Sequence, residues 1–220
     1  MCGRYSQTHS QKKLTERFQV KYMTGPIGPR YNIAPSQTAP VIVSREGQAV
    51  LKEMRWGLIP TWAKDSSIGN KIINARAETL SEKPSFRKLL TGHRCLIPAD
   101  GFYEWARQDG TKKPYRIRMK DLNLFAFAGL WNTWKALDGK LVESFTIITT
   151  APNTLMEKIH HRMPVILQKK DEEKWLNADF SETERLLAAY PADEMEAYEV
   201  GTIVNSPQND RPECLAPANQ

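Results

Sequence analysis

Runs of β-branched and aromatic residues, cut at short and irregular intervals by Gly, Pro and Asp, dominate the middle of this chain. VIVSREGQAVLKEMRW reads as a hairpin, two β-rich runs meeting near Glu46-Gly47. IINARAE (72–78) predicts a strand with Asn74, Arg76 and Glu78 on one face and Ala75 and Ala77 on the other. From residue 94 onward RCLIPA, GFYEWAR, PYRIRMK, LFAFAGLW and ESFTIITT predict further strands, with turns at Asp109-Gly110 and Asp138-Gly139. MEAYEVG supplies a final strand.

Helical periodicity is confined to short stretches. Thr8-His-Ser-Gln11 has capping-box form and Leu14 and Phe18 then share a face, which predicts a helix over 9–20. SEKPSFRKLL leads into a second helix, Asn153 can cap a third over TLMEKIH ahead of Pro164, and KKDEEKWLN and SETERLLAAY read as two more. TGPIGPRYNIAP (24–35) reads as a loop and residues 57–71 as irregular. There is no repeat, low-complexity tract or linker. The strands follow one another too closely for regular βαβ units. The expected fold is therefore α+β, a single domain over 1–207 built on a curved or barrel-like, mostly antiparallel sheet flanked by short helices. The remaining residues, 208–220, are polar and Pro-rich and are expected to be a loosely held tail.

Composition narrows the class. An apolar content of 40%, with six Trp, seven Tyr and seven Phe, suffices for a real core. Thirty-one basic against 25 acidic residues leave a net charge of +6, which fits a polyanionic partner without requiring one. The first residues lack the apolar stretch of a secretory signal, and Leu124–Trp131, the longest apolar run, is too short to cross a bilayer. Cys2, Cys95 and Cys214 are an odd, scattered set without a C-x-x-C pair, so neither a disulfide framework nor a zinc site is indicated. The expectation is a cytoplasmic monomer with no membrane contact, no metal and no cofactor.

Five stretches carry candidate chemistry. Once Met1 is removed, Cys2 holds an α-amine and a thiol on one residue. The amine, with an ordinary pKa of about 8, is partly neutral at cellular pH and can form a Schiff base with an aldehyde. The thiol can then add to the imine and close a thiazolidine. An incidental exposed cysteine is the plain alternative. In GFYEW, Phe102 and Glu104 point one way and Tyr103 and Trp105 the other, so Glu104 has aromatic neighbours on either face. Desolvation there would raise its pKa toward a useful proton-exchange range, unless it reaches solvent or pairs with an arginine. The polar face of NARAE suits a cleft floor or an ordinary solvated surface. IHHRMP (159–164) holds two of the four histidines at a helix end; adjacent histidines should point in different directions, so at most one faces a given site. Trp56 and Trp62 of WGLIPTW can stack on unpaired bases or pack in the core.

Taken together, MCGRY, RYNIAPSQ (30–37), WGLIPTW (56–62), INARAET (73–79), RCLIPADGFYEW (94–105), TTAPN (149–153) and IHHRMP resemble the SOS response-associated peptidase (SRAP) family, in the family's order and up to about residue 207. The resemblance implies a protein that shields abasic sites in single-stranded DNA, associated with the nucleoid when bound. It implies that Cys2 is the nucleophile that links to the ring-opened aldehyde, that Asn74 holds the Cys2 end and the sugar, that Glu104 shuttles protons, and that His160 assists ring opening. It further implies that Thr149 contacts the sugar, that Arg4, Arg76 and Arg162 hold phosphates, and that Trp62 and Trp105 contact bases or sugar. Self-cleavage ahead of Cys2 belongs to the same implication.

Two rivals remain. An N-terminal-nucleophile amidotransferase also begins Met-Cys-Gly, but the chain has no NGE-type glutamine-binding loop. A non-covalent module for single-stranded or modified DNA would leave Cys2 incidental.

Overall fold

A computed structural model describes residues 2–108 and 110–218, Gln108 by its backbone alone. Met1, Asp109 (expected to lead a turn) and the last two residues of the expected tail lie outside them. In chain order the strands are β1 (Tyr5–Gln7), β2 (Tyr22–Met23), β3 (Arg30–Ile33), β4 (Thr38–Arg45), β5 (Gln48–Trp56), β6 (Asn74–Arg76) and β7 (Arg94–Ala99). They continue with β8 (Gly101–Gln108), β9 (Thr111–Met119), β10 (Phe125–Lys135), β11 (Leu141–Thr150), β12 (Met163–Pro164), β13 (Ile166–Leu167) and β14 (Met195–Glu199). The α-helices are short: α1 (Gln11–Arg17), α2 (Pro84–Arg87), α3 (Glu172–Asn177) and α4 (Phe180–Thr183).

A five-strand barrel organises the molecule. β5, β4, β7, β10 and β11 pair antiparallel in that order, and β11 returns to β5 in a parallel pairing at Ser144–Arg55 and Phe145–Trp56. Closure leaves those strands without a free edge. The expected α+β, barrel-like, mostly antiparallel architecture is found. Apolar residues occur consecutively in these strands because both faces are covered. Val41, Val43, Ile97, Phe125, Phe127 and Ile147 fill one core. Their neighbours Ile42, Leu96, Ala126, Ala128 and Ile148 pack outward against Leu14 of α1 and Trp175 of α3. The β4–β5 turn falls at Glu46-Gly47, where φ is +51° and +75°, the hand that suits a two-residue hairpin.

A second, wholly antiparallel sheet, β14-β9-β8-β1-β3, joins the barrel through one bent strand. β7 belongs to the barrel and β8 to the second sheet, with only Asp100 between them. Buried Asp100 accepts from Ser6 Oγ (2.6 Å), Thr8 N (2.7 Å) and Arg116 Nη2 (3.0 Å). These bonds pin the three-residue β1 in register against β8, with Tyr5 opposite Phe102.

Four expectations need correction. The first helix is shorter than 9–20, because Ser10 rather than Thr8 is its cap: Ser10 Oγ accepts from Lys13 N, while the Thr8 hydroxyl is taken by Asp100. The 24–35 loop contains β3, ordered by pairing with β1. The strand at 72–78 is only Asn74–Arg76, since Ala77–Thr79 turn into a 3₁₀ helix. The tail, described to residue 218, is not loosely held. Asp210 pairs with Arg30 and accepts from the backbone N–H groups of Tyr31 (2.5 Å) and Asn32 (3.0 Å). Cys214 is fully buried, and Val200 bridges Pro217.

Candidate active site

The β1–β8 register carries on ahead of β1, because Tyr103 N donates to the Arg4 carbonyl at 2.9 Å. This sets Arg4 against Tyr103, and Cys2, two residues earlier, lies fully buried in the barrel core cluster with Tyr5, Ile33 and Phe102. Burial, reinforced by the nearby Glu104 charge, pushes the Cys2 thiol far above its ordinary pKa and keeps it protonated.

Glu104 is buried as well. The expected alternation holds: Phe102 packs in the barrel core, whereas Tyr103 joins a separate cluster with Val200, Val204 and Cys214. Desolvation raises the Glu104 pKa above the ordinary carboxylate value, which favours the protonated carboxyl and suits the group to exchanging protons.

Asn74 enters from the barrel side. β6 lies parallel to β11, with Asn74 opposite Ile147 and Arg76 opposite Thr149. This places Asn74 so that its Nδ2 donates to the Cys2 carbonyl at 2.8 Å. Its Oδ1 is buried and has no hydrogen-bond partner among the described residues. An acceptor in that condition invites a donor from a ligand or from the chain's own terminus.

His160 follows Met156–Lys158, a single 3₁₀ turn where a helix over TLMEKIH is expected; Asn153 Oδ1 accepts from Met156 N at 2.9 Å just ahead of it. Its Nδ1 accepts from Arg162 N (3.0 Å), so the neutral ring carries its proton on Nε2. Partial burial lowers its pKa. The two histidines do not diverge as expected: their rings stack, centroids 4.2 Å apart and planes 27° apart. His161 is exposed, and its pKa is lowered chiefly by its neighbour's charge.

The other predicted residues divide into two groups. Thr149 is buried and its carbonyl accepts from Arg162 Nη2 at 2.6 Å. Arg76 and Trp62 are exposed, Trp62 by 62% of its surface, while Trp56 is fully buried with its indole N–H on the Ile73 carbonyl. Arg4 and Trp105, in contrast, grip the C-terminal segment. Arg4 donates to Asn32 Oδ1 (2.8 Å) and to the carbonyls of Val204 (2.7 Å) and Asn205 (3.1 Å). Trp105 donates to Asn205 Oδ1 at 2.8 Å, with the Arg4 guanidinium 5.7 Å from its ring centre.

Sequence reasoning gave no role to Asn32 or Asp100. Asn32 Nδ2 reaches the carbonyls of Val204, Ser206 and Asn209, all more than 170 residues away. No local spacing could reveal such a partner. No group of three or more His, Cys, Asp or Glu among the described residues is arranged to hold a metal, and no described helix is long and apolar enough to cross a membrane.

The chain is similar to known proteins over nearly its whole length. Residues 1–207 match the family described as SOS response associated peptidase (SRAP). The abasic site processing protein YoqW of Bacillus subtilis is 52% identical over 221 residues, spanning 98% of this chain and 99% of that one. The abasic site processing protein HMCES of Gallus gallus is 36% identical over 224 residues, covering 86% of this chain and 66% of its own. A crystal structure of a protein from Bacteroides thetaiotaomicron superposes with a TM-score of 0.90 at 31% identity, over 99% of this chain and all of that one.

Proposed function

Because this chain belongs to the SOS response-associated peptidase family, we propose that it processes abasic sites in single-stranded DNA by linking covalently to them through Cys2. The observation that carries the reading is Cys2 held between Asn74, bonded to its carbonyl at 2.8 Å, and Glu104, whose charge acts on its thiol.

The chemistry follows from those groups. An abasic sugar rests mostly as a closed hemiacetal. Opening breaks the bond from C1 to the ring oxygen and moves the C1 hydroxyl proton to that oxygen, while His160 Nε2–H hydrogen-bonds the ring oxygen as its charge develops. Removal of Met1, by the chain itself or by an aminopeptidase, frees the α-amine of Cys2. That amine attacks the aldehyde carbon, Glu104 relays protons, and one water leaves as the imine forms. The thiol, kept protonated by burial, does not compete for the aldehyde first. It then adds its sulfur to the imine carbon while its proton passes to the ring nitrogen through Glu104. A closed thiazolidine has no imine to drive β-elimination, so the strand stays whole. Asn74 Oδ1 is placed to accept from the freed amine or a sugar hydroxyl. Arg76, Arg162 and Trp62 are assigned to phosphates and bases, and Thr149 to the sugar. Arg4 and Trp105 are assigned an indirect role, holding the segment that includes Asn205.

The test is a single-stranded oligonucleotide with one abasic site, incubated with wild type and with Cys2→Ala and read by denaturing gel and intact mass. A heat-resistant adduct with the mass of Met1-less protein plus DNA minus one water, absent from Cys2→Ala, supports the proposal. Absence of any adduct from protein confirmed to lack Met1 refutes it, and a glutaminase assay then tests the amidotransferase alternative.

A further inference from the structure

Arg162, a proposed phosphate ligand, already holds an anion. Both terminal nitrogens donate to the Glu78 carboxylate, Nη1 at 2.7 Å and Nη2 at 2.9 Å, and Nη2 also bonds the Thr149 carbonyl. A guanidinium fork accepts a carboxylate or a phosphate in the same two-pronged way. The two partners are embedded to different degrees: the Arg162 side chain is 13% exposed and that of Glu78 50%. The cation is thus built into the wall beside Thr149 and His160, while the carboxylate lies over it from the solvent side. Arg162 Nε is buried and has no hydrogen-bond partner among the described residues, so Glu78 leaves the fork incompletely satisfied. Glu78 is firmly ionised, its pKa held down chiefly by the hydrogen bond from Arg162.

We propose that Glu78 is a resident substitute for a DNA phosphate: it fills the Arg162 seat in the free protein, and a phosphate of the incoming strand displaces it. The inference rests on the reading above that a DNA strand lies on this face. Glu78 stands on the 3₁₀ turn directly after β6, two residues from exposed Arg76. Arg76 already acts on it electrostatically and can receive the carboxylate once it is released. The exchange keeps Arg162 neutralised in both states, so a desolvated charge is never left bare. It also subtracts from the affinity for any polyanion that reaches Arg162 alone, since such a ligand gains one ion pair only by breaking another.

The test uses a fluorescein-labelled single-stranded oligonucleotide without a lesion, so the readout is independent of cross-linking. Glu78→Gln is expected to bind about two- to fivefold tighter than wild type, the range of an exposed ion pair. Its gain should shrink with added salt. Arg162→Gln should bind more weakly, and in the double variant the Glu78→Gln gain should vanish. Glu78→Asp, which keeps the charge but shortens the reach of the fork, should fall between wild type and Glu78→Gln, and serves if the latter fails to fold. Equal or weaker binding by folded Glu78→Gln, or a gain that survives Arg162→Gln, overturns the proposal. For Glu78→Asp, binding no tighter than wild type does the same. Abasic-site cross-linking by wild type, run in parallel, separates the two ideas: its absence refutes the proposed chemistry and leaves the phosphate exchange standing on the binding data.

Discussion

Asn74, on a three-residue strand at the barrel, donates to the carbonyl of Cys2, just ahead of the second sheet, at 2.8 Å. The bond fixes where Cys2, the proposed nucleophile, sits relative to β6 and, through β6, to Thr149 on β11. Asn74→Asp replaces the donor by an oxygen that faces an oxygen. Cross-linking should slow about tenfold or more, since small misplacements of reacting groups are costly. Stability should fall by about 1–3 kcal/mol, the cost of leaving the Cys2 carbonyl without its donor. Cross-linking time courses beside melting curves check this; a rate loss matched by unfolding would make Asn74 purely structural.

Glu104 should leave its mark on the pH dependence of stability. Burial raises its folded pKa above the unfolded value of about 4.3. The folded state therefore binds more protons than the unfolded one between those two values. Its contribution to stability declines as pH rises through that window and stays low above it. Glu104→Gln removes the term, so its melting temperature should change less than that of wild type over the same window and exceed it on the alkaline side. Cross-linking by the variant should be slower at least several-fold. Parallel pH–melting curves for the two proteins would contradict this account.

For His160 the sign is opposite. Burial lowers its folded pKa, so protonation is harder in the fold than in the unfolded chain. Stability from this group is present above the unfolded value of about 6.5 and is lost as pH falls through it toward the lowered one. His160→Ala should weaken that acid-side loss and slow cross-linking, with a melting temperature near wild type at neutral pH. A two-dimensional NMR titration of the ring protons reads the pKa directly.

Asp210 tests the C-terminal segment. It pairs with Arg30 and satisfies two backbone N–H groups of β3, so Asp210→Ala removes three polar partners at once. A loss of about 2–4 kcal/mol is expected from donors left unsatisfied. Truncation after residue 207, which also removes Cys214 from its pocket, should be worse. Urea denaturation measures both, and wild-type-like midpoints would show that the segment only decorates the surface.

Much of this architecture was legible in the chain because it is written locally. RCLIPA and the Glu46-Gly47 hairpin were found where they are, since continuous β-branched runs and turn residues act over a few positions. β3 was missed because a Gly/Pro-rich setting hides four residues whose strand character comes wholly from pairing with β1. The C-terminal segment was misread for a related reason. Its polar composition suggested solvent, yet Asp210 is spent on backbone groups of β3, and only tertiary placement could show that. Within the site, the order of motifs led to Cys2, Asn74, Glu104 and His160, and the structure sets the first three around one carbonyl and one thiol. Glu78 and Arg162 are 84 residues apart. Charge on a predicted strand face could not disclose which cation it meets.

The fully buried Cys2 has a further consequence. Peroxide, disulfides and alkylating metabolites attack thiolates that they can reach, and this sulfur is both protonated and out of contact with solvent. Under the proposed chemistry, the fold holds the Cys2 nucleophile in a sheltered form, spared from oxidants until a DNA aldehyde reaches it.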